Sequence, residues 1–306
     1  MTGRGHVIGV GHSCVDRLCT IENYPREDDS THILSIAVQG GGAVATALVA
    51  AAKLGIEAEY IGNTGNDSVS DEMLSMLSAD GVDTTHVVRR SDAYGLESFV
   101  MINPETGTRT KFPVRDFNPA IEWTDELKAE ISRADVLHLD GTNYENALNA
   151  SKIAKEANVL VSLDGCSMQA EMDKNRKLAS MADFLIMNSK YPLRVTGLDN
   201  YENALLEISK WGPRIVICTL GDRGSLAVID GKVVHFPAYK VNVVDTTGAG
   251  DVFHGAFIAG YLDGMDLVEN IEFASAVSAL KCQKLGGRAG IPTKEEALMK
   301  MHSAKE

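Results

Sequence analysis

Short apolar runs alternate with amphipathic stretches along most of the chain. Residues 6–11, 58–62, 136–140, 159–164, 184–188 and 215–220 read as buried strands. Between them, apolar residues at helical spacing predict helices over 43–54, 69–79, 125–132, 145–157 and 204–211. Strand runs without polar alternation are buried on both faces, and an intervening helix is the crossover that parallel strands require. The pattern predicts an α/β fold with a mainly parallel central sheet flanked by helices on both faces. No repeat, low-complexity tract or proline-rich linker divides it, so 1–306 reads as a single domain.

Two regions break the alternation. Residues 15–38 hold two strand-like pieces around the charged turn Arg26-Glu27-Asp28-Asp29. Residues 96–114 read as a hairpin turning at Asn103-Pro104-Glu105-Thr106-Gly107. By pattern alone they are either decorations on the sheet edge or a small separate sheet.

Composition narrows the partners. Hydrophobic residues make up 44% of the 306, enough for a sizeable core. A net charge of −13 argues against nucleic acid or an anionic membrane surface as the main partner, though a local basic pocket still admits an anionic substrate. The five cysteines are scattered, without a CxxC pair, so neither a disulfide framework nor a zinc site is expected and a reducing cytoplasm is the simpler setting. The first residues hold too few apolar side chains for a signal peptide. No run approaches the ~18 apolar residues of a membrane span.

The chemistry concentrates at 243–251, Val-Val-Asp-Thr-Thr-Gly-Ala-Gly-Asp. Val252, Phe253, Ala256, Phe257 and Tyr261 follow at helical spacing, which makes Gly248, Ala249, Gly250 and Asp251 a first helical turn. Such a turn has unpaired backbone N–H groups at the positive end of the helix dipole, and glycine lets a phosphate approach them. An acid there repels phosphate, but suits a base that takes the proton of a hydroxyl attacking it. An Asp that merely complements the dipole looks the same locally. The longer string separates the two readings. It resembles the signature of the PfkB carbohydrate kinases, the ribokinase-like family. That resemblance implies that Asp251 activates a sugar hydroxyl, and that the amides of 248–251 form the anion hole for the transferring phosphate.

The resemblance runs from the first strand to Pro292. Gln39-Gly40-Gly41-Gly42-Ala43-Val44-Ala45-Thr46 is similar to the family's N-terminal glycine motif. It implies that Gly41, Gly42 and Thr46 contact sugar, although Ala43 and Thr46 replace the usual Asn or Lys and Asn. Asp16 stands a few residues beyond the first strand, at the edge where parallel sheets bind ligands, and resembles the family's sugar-holding Asp. Thr219-Leu220-Gly221-Asp222-Arg223-Gly224 resembles the T-x-G-x-x-G stretch, which implies Thr219, Gly221 and Gly224 near the phosphates of ATP. A hairpin over 225–236, turning at Asp230-Gly231, would follow. Asn188 belongs by resemblance to the nucleotide half. A helix over 273–282 and the loop 286–292 would close over the adenine, beside Ser275. Carbonyl groups of Lys281, Lys284 and Gly286, with Asp245 and Thr247, match positions that bind a monovalent cation such as K+ in some members, and oxygen ligands suit a hard cation. The segments 15–38 and 96–114 match a β-sheet lid over the sugar, shared between the subunits of a homodimer.

Two departures from the family pattern matter. In Asn188-Ser189-Lys190-Tyr191, Tyr191 replaces the Glu of N-x-x-E that organises magnesium-bound water, so Mg2+ is expected to be held mainly through ATP and water. The string 244–255 and the ending Gly-Gly-Arg-Ala-Gly-Ile-Pro look similar to the sulfofructose kinase branch, which phosphorylates a primary hydroxyl of a ketose-like sugar. Thr31 and Thr142, however, stand where basic residues for a sulfonate would be expected. The expectation is an ATP-dependent sugar kinase acting on a primary hydroxyl of a furanose-like sugar, a ketohexose. Lys111 and Arg115, at the end of the lid hairpin, face either an anionic substituent or solvent. Arg288 faces either phosphate or solvent. A ribokinase, a nucleoside kinase and a non-catalytic sugar-binding relative are the rivals; an aromatic content of 6% leaves few rings to stack a base.

Overall fold

In chain order the strands are β1 (His6–Val10), β2 (Cys14–Ile21), β3 (Ile33–Gly41), β4 (Glu57–Tyr60), β5 (Gly62–Thr64), β6 (Val82–Asp83), β7 (Val87–Arg89), β8 (Glu97–Ile102), β9 (Arg109–Pro113), β10 (Val136–Asp140), β11 (Leu160–Asp164), β12 (Phe184–Asn188), β13 (Ile215–Thr219), β14 (Ser225–Ile229) and β15 (Lys232–Phe236). The helices are α1 (Ala43–Lys53), α2 (Ser68–Ala79), α3 (Asp125–Ile131), α4 (Tyr144–Glu156), α5 (Met172–Met181), α6 (Tyr191–Thr196), α7 (Tyr201–Ser209), α8 (Ala249–Leu262), α9 (Leu267–Lys281) and α10 (Lys294–Ser303). The structure is a computed structural model and describes residues 5–105, 108–114, 118–166 and 170–303.

The main sheet has nine strands in the order β15-β14-β13-β12-β11-β10-β1-β4-β6. Strands β6 through β13 in that order pair in parallel, and the β14–β15 hairpin adds an antiparallel edge. Successive residues of one strand feed opposite cores, which is why the runs show no polar alternation. Val7 joins the cluster formed with Val44, Leu48, Phe257 and Val277, whereas Ile8 joins Leu137, Leu163 and Leu205 on the other side. The fold is α/β with a mainly parallel central sheet flanked by helices, as the hydrophobic pattern predicts. Among the described residues no helix is long and apolar enough to cross a membrane.

The two pattern-breaking segments form a separate four-stranded sheet, β3-β2-β8-β9. Its inner strands β2 and β8 run parallel, and the outer pairs are antiparallel. Part of this small sheet is apolar and exposed: Ile33, Leu34, Ile36, Val38 and Phe112 all lie open. Thr106 and Gly107 of the predicted turn lie outside the described residues.

Candidate active site

All parallel strands end at one edge of the main sheet, where β10, β11, β12 and β13 finish on polar residues. Asp140 pairs in register with Asp164, and Asn188 with Thr219. Beside this edge α8 begins. Gly248 caps it at φ 72°, a left-handed conformation that a side chain would strain, and an added Cβ would lie 3.1 Å from Gly287 and 3.4 Å from Thr46. The Ala249 amide is engaged, donating to the Thr246 carbonyl at 3.2 Å. The amides of Gly248, Gly250 and Asp251 donate to no protein group among the described residues. Of the four amides expected to form an anion hole, three are thus without a protein partner among the described residues, and three donors are ample for one phosphoryl group.

Asp251 projects from this first turn. Burial pushes its carboxyl up to about 6, and Asp164 adds to the shift while His254 and Lys111 oppose it. A carboxylate poised there exists largely ionised at neutral pH yet still accepts a proton, as a general base must. Asp164 and His254 lie beneath it, 3.3 Å apart and both buried. Burial disfavours the imidazolium, but Asp164 outweighs it and raises His254 above its ordinary value. This pair carries no signal in the sequence pattern, because its partners come from strand β11 and helix α8.

On the sugar side, Asp16 lies within β2 of the small sheet, six residues beyond the end of β1, paired with Gln39 of β3 and Ser98 of β8. It stands against the glycine turn, since a Cβ on Gly41 would meet its carboxylate oxygen at 2.3 Å. Gly42 caps α1 at φ 94°, where a Cβ would stand 2.4 Å from the His12 carbonyl. Thr46 is buried, and its hydroxyl accepts from Arg288 Nε at 3.4 Å. Arg288 does not face solvent: it is buried, donates to the Gly41 carbonyl at 2.9 Å, and feels both Asp16 and Asp251. Thr46 therefore supports Arg288 and the Gly41 backbone.

The small sheet reaches over the loop that precedes α8. Arg109 of β9 donates to Asp245 Oδ1 at 3.1 Å and to the Thr247 hydroxyl. Sequence reading singled out Lys111 on this strand and missed Arg109, whose partners are more than a hundred residues away in the chain. Lys111 is exposed on β9 and lowers the proton affinity of Asp251, so it sits near that carboxyl. Arg115 lies outside the described residues.

The half expected to hold the nucleotide is an open cleft of about 1050 Å³. Thr219, Gly221, Gly224 and Ser275 all line it, together with Ala249 and Gly250 at the α8 turn. Asn188 ends the strand next to Thr219, but its side-chain oxygen accepts from the amides of Lys190 and Tyr191 at 2.9 and 3.2 Å and so starts α6. Tyr191, in the place of the usual Glu, is 2% exposed within an apolar cluster and has no access to a metal-bound water.

The expected monovalent cation ligands do not fit a bound cation. The Lys281 ammonium itself donates to the Asp245 carbonyl at 3.0 Å and to the Thr247 carbonyl. The Lys281 carbonyl already accepts from the Lys284 amide at 3.3 Å, and the Gly286 amide donates to Asp245 Oδ2 at 2.8 Å.

Comparison with known proteins agrees with this geometry. The chain is 28% identical to a ribokinase of Staphylococcus aureus over 301 residues, covering 95% of this chain and 97% of that one. It is 30% identical to fructokinase-1 of Oryza sativa over 331 residues, covering 99% of this chain and all of that one (100%). The structure of Arabidopsis thaliana ribokinase complexed with ribose and ATP has the same fold, with a TM-score of 0.86 at 24% identity over 98% of this chain and 99% of that one. A family model described as pfkB family carbohydrate kinase matches residues 5–294. A match over 5–294 covers nearly the whole chain, so the chain belongs to the pfkB family of carbohydrate kinases and is a phosphotransferase acting on an alcohol group.

Proposed function

We propose that this kinase transfers the γ-phosphoryl group of ATP to a primary hydroxyl of a furanose-like sugar, a ketohexose. The observation that carries the reading is the α8 turn: one partly buried carboxylate beside three free amides, between the nucleotide cleft and the Asp16–Gly41–Gly42 wall. Asp251 takes the proton of the attacking hydroxyl while the amides of Gly248, Gly250 and Asp251 hold the phosphoryl oxygens in line. Asp16 accepts hydrogen bonds from two sugar hydroxyls, which fixes which hydroxyl faces Asp251. Magnesium enters as the MgATP substrate; the buried Tyr191 supplies no ligand, so the phosphates and water hold it.

A ketose is favoured by the 244–255 and Gly-Gly-Arg-Ala-Gly-Ile-Pro strings and by the fructokinase among the relatives. An uncharged sugar is favoured over a sulfonated one because Thr31 spends its hydroxyl on Asn23 and Thr142 is neutral beside its pocket. The exposed apolar residues of the small sheet support a homodimer in which two lids cover each other's apolar face. A coupled kinase assay over fructose, tagatose, ribose, sulfofructose and nucleosides tests the substrate. Turnover is expected with a ketohexose; turnover with a nucleoside or ribose alone would replace this reading. Light scattering after gel filtration tests the dimer, and a monomer at micromolar concentration would remove it.

A further inference from the structure

Lys281 ends α9 and is fully buried, at 0% exposure. A lysine head in such a place requires acceptors, because an unpaired ammonium away from water is strongly disfavoured. Its acceptors are two main-chain carbonyls of a single loop, Asp245 and Thr247, which flank Thr246. The loop is ordered further by its own acid. Asp245 Oδ1 accepts from the Thr247 amide at 2.8 Å and from its hydroxyl at 2.7 Å, and Oδ2 accepts from the Gly286 amide. Two carbonyls one residue apart, aimed at one point beside a carboxylate, form an electronegative corner that calls for a cation. Here the point is filled by the side chain of the same protein. The corner opens directly into Gly248, and Thr246 lines the nucleotide cleft.

We propose that Lys281 is a built-in cation: its ammonium holds the Asp245 and Thr247 carbonyls as an alkali ion would, so this kinase shapes its anion hole without K+. The assignment rests on the kinase reading and deepens it, by naming a positioning residue that acts through the loop and never touches substrate. Burial disfavours the charge and Asp245 restores part of it, with the net proton affinity somewhat below that of a free lysine. A K+ ion at the same carbonyls would stand against the ammonium and be repelled. Removal of the ammonium should leave a cavity of matching charge and size, open to an exogenous cation.

The experiment measures binding of Mg·AMP-PNP by calorimetry in KCl and in tetramethylammonium chloride at equal ionic strength, with melting temperatures recorded alongside. Wild type is expected to bind with the same affinity in both salts, within about twofold, and to melt at the same temperature. Lys281→Ala should bind about tenfold or more weakly in tetramethylammonium, the loss expected for two charge-assisted hydrogen bonds. KCl or methylammonium chloride should restore most of that affinity and raise the melting temperature of the variant only. Lys281→Met, which keeps the volume but not the charge, should lose affinity without gaining a response to K+. Two results overturn the assignment: a wild type whose affinity rises about tenfold with K+, or an alanine variant indifferent to every cation. The wild-type arm decides even if the alanine variant fails to fold. Absence of nucleotide binding by wild type in all salts would instead sink the kinase reading itself, and the lysine assignment with it.

Discussion

Asp251→Asn should abolish turnover and at the same time make the empty fold more stable. The carboxyl sits at about 6 in the fold against an ordinary value of 3.8, chiefly because burial penalises its charge. At about 1.4 kcal/mol per tenfold in proton affinity, that gap means the ionised group costs about 3 kcal/mol above pH 6. Asp251 keeps partial solvent access, which reduces the figure to about 1–2 kcal/mol. The sign follows from linkage. Below about pH 4 the group is protonated in both folded and unfolded chains, and its contribution is fully present. As pH rises toward about 6, the unfolded chain loses its proton first and the fold loses stability relative to it. Above that range the penalty is constant. The amide of Asn carries no charge at any pH, so the variant should gain on wild type as pH rises. Urea unfolding of the ligand-free proteins at pH 5 and pH 8 measures the difference. A variant less stable than wild type at pH 8, or one whose advantage is the same at both pH values, would refute the burial of an ionised base.

The same carboxyl predicts an acidic limb in kcat/KM with a midpoint near 6, where activity falls about tenfold per pH unit below it. His254→Gln removes an opposing positive charge and should move that limb upward; a limb near 4 in wild type would contradict the assignment. Arg109→Ala unlatches the small sheet from Asp245 and Thr247 and should raise the sugar KM about three- to tenfold, read by steady-state kinetics, with the latch half-exposed and so modest in strength. Tyr191→Glu places an acid where a buried ring packs and should cost about 2–4 kcal/mol in denaturation without lowering the magnesium requirement.

The alternating strands and helices were legible because both periods are strong in a sheet buried on two faces. Predicted and observed strands agree to within a residue or two at 136–140, 184–188 and 215–219, and the hairpin turn at Asp230-Gly231 adopts the positive φ its residues favour. Helix α5 escaped notice because Asp173, Lys174, Arg176 and Lys177 leave it little apolar face, and α6 because six residues carry no period. The α8 turn was legible because helix start, glycines and acid are contiguous. Arg288, Arg109 and the Asp164–His254 pair were not, since each acts across sequence separations that local pattern does not encode. Lys281 was read for its carbonyl, whereas the structure uses its ammonium; only the packing of α9 against the 245–247 loop decides between the two.

One comparison bears most directly on the reaction: single-turnover rates and nucleotide affinity for wild type and Asp251→Asn, using the sugar that the substrate panel selects. A lost general base should slow phosphoryl transfer about 10²–10⁴-fold while Mg·AMP-PNP binds as before, within about threefold. Transfer at the wild-type rate by the asparagine protein would contradict the account, because the proton would then leave the hydroxyl without Asp251.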